Sequence, residues 1–213
     1  MSNDKQLERL ILFSDAVFAI AITLLILEIK VPHLETEGER EALVALVNLV
    51  PEFVGFFVSF MMIAIFWVVH HRLFGFLIRS DKKLIRNNFF YLFFIVTLPF
   101  TTAYYSEYLF LKVPFMLYCG NVVCISLCTL LLLNYIAKLG NNISEGLENP
   151  VLVSYIRARS LILILVFSVT AVFQFAFEGR SVTYSRYMLF LMIPLFRMVS
   201  KRYSRKGLDV KSY

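Results

Sequence analysis

Six stretches of this 213-residue chain are apolar for about twenty residues at a time, and no other feature limits its fold as strongly. A helix needs about 20 apolar residues to cross a bilayer core about 30 Å thick. The stretches are Leu10 to Ile29, Pro51 to Phe74, Leu84 to Tyr105, Pro114 to Ala137, Leu161 to Phe177 and Val182 to Val199. They are too long for strands and keep no period-two alternation. In lipid the backbone satisfies its own hydrogen bonds only as helices or closed barrels. The expectation is therefore an all-α membrane protein with six transmembrane helices. One domain spans residues 1–200, and a basic cytoplasmic tail follows over 201–213. Between spans, Glu35 to Leu49 reads as a surface helix or a loop leading into the second span. Gly140 to Pro150, with its Gly, Asn, Ser and Pro, reads as a loop.

The composition agrees, with 59% hydrophobic and only 17% charged residues. That excludes a disordered chain and argues against an ordinary soluble enzyme. The net charge of +6 raises the question of nucleic acid, but the charges flank the apolar runs and no reading motif accompanies them. They fit membrane topology instead. With the N-terminus in the cytoplasm, only Lys30, Arg40, Lys112, Arg180 and Arg186 of the 21 Lys and Arg fall outside. The positive-inside rule then places both termini in the cytoplasm. The first outer loop is acidic, with Glu35, Glu37, Glu39 and Glu41. Cys119, Cys124 and Cys128 sit inside one apolar run without a paired spacing, as packing thiols do. The first run is long and lacks a small-residue cleavage site, so it reads as a mature helix.

The first span carries the sharpest polar signal. At 100° per residue, Arg9, Phe13, Ala16, Ile20, Thr23, Leu24 and Leu27 share one face. Asp15 lies about 140° from Ile20, on another face. A carboxylate at this depth costs a few kcal/mol or more unless it is partnered. The second span adds Trp67, His70, His71 and Arg72. Asp15 and His70 both lie toward the cytoplasmic ends of adjacent antiparallel helices, close enough in depth to meet. Their pairing would be either a structural clamp or a proton-sensitive network. Catalysis has little support. No Ser-His-Asp geometry or converging metal-ligand set is visible, so no enzyme, cofactor or metal is expected.

Arg9-x-x-x-Phe13-Ser14-Asp15 resembles the RxxxFSD signature of the transmembrane protein 175 potassium-channel family. Trp67-x-x-His70 and Leu98-Pro99-Phe100 fit the same pattern, and length and helix count extend the likeness across the chain. The resemblance implies a potassium-selective, leak-like channel in a prokaryotic plasma membrane, with K+ and the lipid bilayer as its other partners. It implies a homotetramer whose first helices line a central pore, without a TVGYG-type filter. It implies Ile20, Thr23 and Leu27 as pore positions, beside Leu24 on the same stripe, with transient K+ near Thr23. Arg9, Phe13, Ser14, Asp15, Trp67 and His70 would form the polar network behind that helix. Glu28 and the acidic loop would gather cations at the outer mouth. The alternative is a proton-permeable channel or a proton-coupled transporter using Asp15 and His70. Internal repeats and broken-helix pairs, which alternating-access folds use, are not visible in the sequence.

Overall fold

The computed structural model describes residues 3–34, 38–138, 143–145, 149–177 and 186–206. Glu35 and Glu37 of the acidic loop, most of the Gly140–Pro150 loop, the start of the sixth apolar run and the end of the basic tail lie outside them. The described residues are almost wholly helical: α1 (Asn3–Leu27), α2 (Glu39–Asn48), α3 (Val50–Gly75), α4 (Lys82–Glu107), α5 (Lys112–Ile136) and α6 (Pro150–Ala176). A 3₁₀ segment (Arg186–Leu191) and α7 (Met192–Ser204) follow.

Five of these helices, α1 and α3 to α6, are long and apolar enough to cross a membrane. The sixth apolar run is not a single long helix where it is described. It divides into the 3₁₀ segment and a 13-residue α7 whose last turn carries Lys201 and Arg202. α7 also runs to Ser204, past the tail boundary expected at 201. The fifth span begins earlier than its apolar run, because Asn149 caps the helix and Pro150 occupies its first turn. That position tolerates proline, whose missing N–H would have no intrahelical partner there. α2 is the surface-helix alternative for Glu39 to Asn48, and it buries no residue.

Helices α1, α3 and α4 pack against one another; α5 packs on α4, α6 on α5 and α7 on α6. Many large apolar side chains remain exposed along the spans, among them Phe90, Phe93, Leu131, Leu165 and Val172. Lipid rather than water suits such a surface. The core is lined by Ile63, Ile95, Leu98, Val122, Ile125 and Leu133, all completely buried.

Polar side chains tie the spans where hydrocarbon would otherwise leave them unsatisfied. Thr102 donates to Ser59 at 2.8 Å, and Ser59 donates to Tyr118 at 3.4 Å. Thr97 donates to Asn121 at 3.2 Å, and the Asn121 amide donates to Thr101 at 3.3 Å. α3, α4 and α5 are thereby joined in the middle of the bundle. Gly55 of α3 makes close approach possible nearby, since a Cβ there would lie 2.3 Å from Ser106 Oγ. Pro99 sits inside α4. It removes the donor that the Ile95 carbonyl would use and so weakens the ladder at that turn.

The loops at one end of the bundle are joined by main-chain bonds. Ile78 N–H donates to the Ile143 carbonyl at 2.9 Å, and Glu145 N–H donates to the Phe76 carbonyl at 2.9 Å. At the other end Lys112 Nζ donates to the Phe177 carbonyl at 2.9 Å. Asp81 caps α4 by accepting from Leu84 N–H at 2.7 Å, and it also accepts from the Tyr135 hydroxyl of α5. Asp81→Ala removes both bonds and is expected to lower stability by about 2 kcal/mol, with Tyr135→Phe costing about half as much. Thermal unfolding of the purified protein in detergent measures both. Equal losses for the two variants would show that the cap contributes nothing.

Candidate functional site

α1 has two unlike faces. Leu7, Leu10, Ser14, Phe18, Ala21 and Leu25 recur at three- and four-residue spacing and are buried. They face α3 and α4. Ser14 and Ala21 are fully buried and small, residue types that let neighbouring helices approach closely. The stripe of Phe13, Ala16, Ile20, Thr23, Leu24 and Leu27 is exposed, about 130° around the helix from the buried row. Ile20 is 58% and Leu27 73% exposed. Arg9 is exposed at the N-terminal end of the same line. Phe13 leans on Phe89 of α4, with ring centroids 5.6 Å apart.

Thr23 is the stripe's one hydroxyl. It turns its hydrogen back onto its own helix, toward the Ala19 carbonyl at 2.9 Å and the Ile20 carbonyl at 3.0 Å. Its oxygen keeps lone pairs for a cation or water on the exposed side.

Behind the stripe the polar residues form two separate pairings. The Trp67 indole N–H donates to Asp15 Oδ1 at 2.9 Å. The second is a chain of bonds with one direction. The Asn88 amide N–H donates to Ser14 Oγ at 2.8 Å, and Ser14 donates to the Leu10 carbonyl at 2.8 Å. Asn88 Oδ1 is therefore the acceptor at its other end, and His70 Nε2 carries the proton it receives at 2.8 Å. The His70 ring is almost fully buried. It stacks on Phe74 at 3.9 Å and Tyr91 at 5.5 Å, with Phe18 at 5.4 Å.

The expected meeting of Asp15 with His70 is thus replaced. Asp15 is held by Trp67, and His70 by Asn88. The reason is rotational: Ser14 points into the three-helix seam where α4 can reach it, and Asp15, 100° further round, points past the seam toward Trp67. The expected network also divides, because Arg9 and Phe13 belong to the exposed stripe, Ser14 and His70 are buried in the seam, and the Asp15–Trp67 pair sits at its partly exposed edge.

Sequence reading missed Asn88 and Tyr91. Asn88 is fully buried, yet it follows Lys82, Lys83, Arg86 and Asn87, so it reads as the polar edge of a span. Its signal is position: it lies four residues into the apolar run that begins at Leu84, and Tyr91 follows it one turn later.

Toward the opposite end of α1, Glu28 is exposed and lines a cavity of about 380 Å3 together with Glu52, Glu107 and His33. His71, to which no role falls from sequence, stacks on Trp67 at 5.2 Å. Cys119 and Cys128 are buried and Cys124 is partly buried, all three as free thiols.

Asn88→Leu keeps the volume but leaves His70 Nε2–H and one Ser14 lone pair unpaired in a dry seam. The expected loss is about 3 kcal/mol. Asp15→Asn retains an oxygen for Trp67 and should cost under about 1 kcal/mol. Unfolding in detergent distinguishes the two; a neutral Asn88→Leu would remove the bonded chain from the forces that hold α1.

Part of the chain is similar in sequence to known proteins, and most of it in fold. The family model described as "Endosomal/lysosomal potassium channel TMEM175" matches residues 9–99, which run from Arg9 through α3 to Pro99 of α4. A potassium channel of Chamaesiphon minutus is 43% identical over 97 residues, covering 46% of this chain and 48% of the relative. A potassium channel of Streptomyces collinus is 44% identical over 97 residues, covering 46% of each. The chain therefore aligns with about half the length of these relatives. The crystal structure of a lysosomal potassium-selective channel TMEM175 homolog from Chamaesiphon minutus superimposes with a TM-score of 0.68 at 26% identity. It covers 95% of this chain and 98% of its own. The shared fold thus extends well beyond the matched sequence, which coincides with the α1–α3–α4 trio.

Proposed function

We propose that this chain, whose residues 9–99 match the TMEM175 family model, forms a potassium-selective channel whose pore is lined by α1. The observation that carries the reading is the exposed α1 stripe. A helix at the edge of a packed trio leaves Ile20, Thr23, Leu24 and Leu27 exposed among the described residues. Symmetric copies around an axis give that face a purpose, and a homotetramer would set four such faces around one axis.

Passage through such a pore is passive. Four Ile20 side chains make a hydrophobic constriction, which blocks ions by dewetting until it widens. One turn further along, four Thr23 oxygens face the axis with free lone pairs. They offer partial replacement for water around an ion that sheds its shell easily, and K+ sheds it more easily than Na+. The α1 helices end at Leu27 with their negative dipole ends together, and Glu28 follows directly. Both favour cations at the outer mouth.

In this reading the N-terminus is cytoplasmic. The course of the chain supports a cytoplasmic C-terminus as well. α7 ends beside the start of α6, where the Tyr203 hydroxyl donates to the Ser154 carbonyl at 3.2 Å and Ser200 lies 3.3 Å from the Tyr155 hydroxyl. The chain leaves α6 at Ala176 and is back at its opposite end by Ser200. That return is the sixth crossing, made by a 3₁₀ segment and a short α-helix. The location is a prokaryotic plasma membrane.

Ion flux from liposomes tests the whole reading, with K+, Na+ or a large organic cation as the driving salt. Ile20→Asn should hydrate the constriction and raise K+ flux on the order of tenfold, as a barrier lower by about 1.4 kcal/mol would. Thr23→Ala should cut the K+ over Na+ preference by roughly two- to tenfold, the size of one lost hydrogen-bond-like contact. No flux in any salt from folded, assembled protein would refute the channel. Flux indifferent to Ile20 would move the constriction elsewhere.

A further inference from the structure

We propose that a cleft between α3, α5, α6 and α7 binds the phosphate of an anionic phospholipid. It is lined by Arg72, Thr129, Tyr155, Arg159, Ser160 and Phe196 among others. Arg72 and Arg159 and the hydroxyl-bearing Thr129, Tyr155 and Ser160 thus stand at one cleft, whose remaining wall is apolar with Ile65, Phe66, Val69, Ile156 and Leu163. No carboxylate is among its described lining residues.

Arg159 is the centre of the site. It lies nine residues into α6, about 13 Å from the helix start. The apolar run of this span begins only at Leu161, so Arg159 stands at the depth where headgroups meet hydrocarbon. Arg72 is likewise three residues from the end of α3. Both therefore lie in the plane of the lipid phosphates. Opposite orientation of the chain would change the leaflet and nothing else, so the proposal rests on the channel reading only for calling it the inner one.

The guanidinium of Arg159 has five N–H donors. Among the described residues it makes one long hydrogen bond, to the Tyr155 hydroxyl at 3.4 Å. Two ring faces complete its surroundings, Phe196 at 4.7 Å and Tyr155 at 5.7 Å. A phosphate matches the remaining donors, because the planar guanidinium fork binds phosphate oxygens in pairs. The enclosed space is about 30 Å3, room for one or two water-sized atoms. Phosphate oxygens are of that size. They enter the cleft while the acyl chains stay outside along the apolar spans. Lys201, Arg202, Arg205 and Lys206 at the end of α7 extend the positive field around the same corner. Basic pockets between spanning helices on the cytoplasmic side are suited to anionic headgroups.

Native mass spectrometry of the delipidated full-length protein tests this with two lipids of equal chain length, phosphatidylglycerol and phosphatidylcholine. Wild type should retain phosphatidylglycerol about tenfold more strongly, and Arg159→Gln should abolish that preference. Arg86→Gln, which changes an exposed charge on α4 away from the cleft, should keep it within about twofold. Inorganic phosphate at millimolar levels should not displace the lipid. Equal retention of the two lipids by wild type overturns the proposal, and that comparison stands if Arg159→Gln fails to fold. An unchanged preference in Arg159→Gln also overturns it. Displacement by inorganic phosphate would reassign the site to a free anion and overturn the lipid.

Discussion

The rotation of α1 about its own axis determines everything the chain can do with that helix, and a buried asparagine holds it. Asn88 of α4 joins Ser14 of α1 to His70 of α3 by bonds of 2.8 Å on either side. A neutral amide is well suited to the place. It offers both a donor and an acceptor, so it links two partners without bringing a charge into hydrocarbon. Turning α1 by one residue, 100°, would carry Ser14 out of the seam and put Asp15 into it. The exposed stripe would turn by the same angle, and Ile20 and Thr23 together would no longer face away from the trio. The polar seam and the exposed stripe are thus two sides of one constraint.

The remainder of the bundle supports this trio in layers. α5 is tied to α3 and α4 through Tyr118 and Asn121, and α6 and α7 pack on in succession. In lipid, apolar contact alone does little to choose between helix arrangements, since the tails are as apolar as the side chains. Hydroxyls, amides and close approach at Gly55 supply the selection. That is why the buried polar residues cluster between helices and the large Phe and Leu side chains face outward. Near the start of α6 the same economy leaves Arg159 beside the rings of Tyr155 and Phe196, at the edge of a small cleft.

The sequence made much of the site legible, for reasons visible in particular residues. The stripe from Phe13 to Leu27 follows from helical geometry alone, and the structure leaves it exposed. Ser14, Asp15, Trp67 and His70 announce themselves as polar groups within or beside apolar runs. Their partners do not. Helical spacing gives the direction of a side chain on its own helix, but not the rotation of the neighbouring helix. Asp15 and His70 therefore seemed suited to each other, and Asn88 passed as the edge of a span. The sixth apolar run differs for another reason: hydropathy counts apolar residues and is blind to a change from 3₁₀ to α geometry at Met192.

By itself the sequence determined that the chain lives in a membrane, that its long apolar runs are helices and which residues share the α1 stripe. These are consequences of hydrocarbon thickness and of 100° per residue, which need no knowledge of neighbours. Only the tertiary structure decided who bonds to whom. It set Asn88 between Ser14 and His70, gave Asp15 to Trp67, brought the end of α7 back to the start of α6 and gathered Arg72 and Arg159 on one cleft. Those pairings depend on how helices pack and rotate against each other, a balance of small side chains and buried hydrogen bonds that no single helix contains.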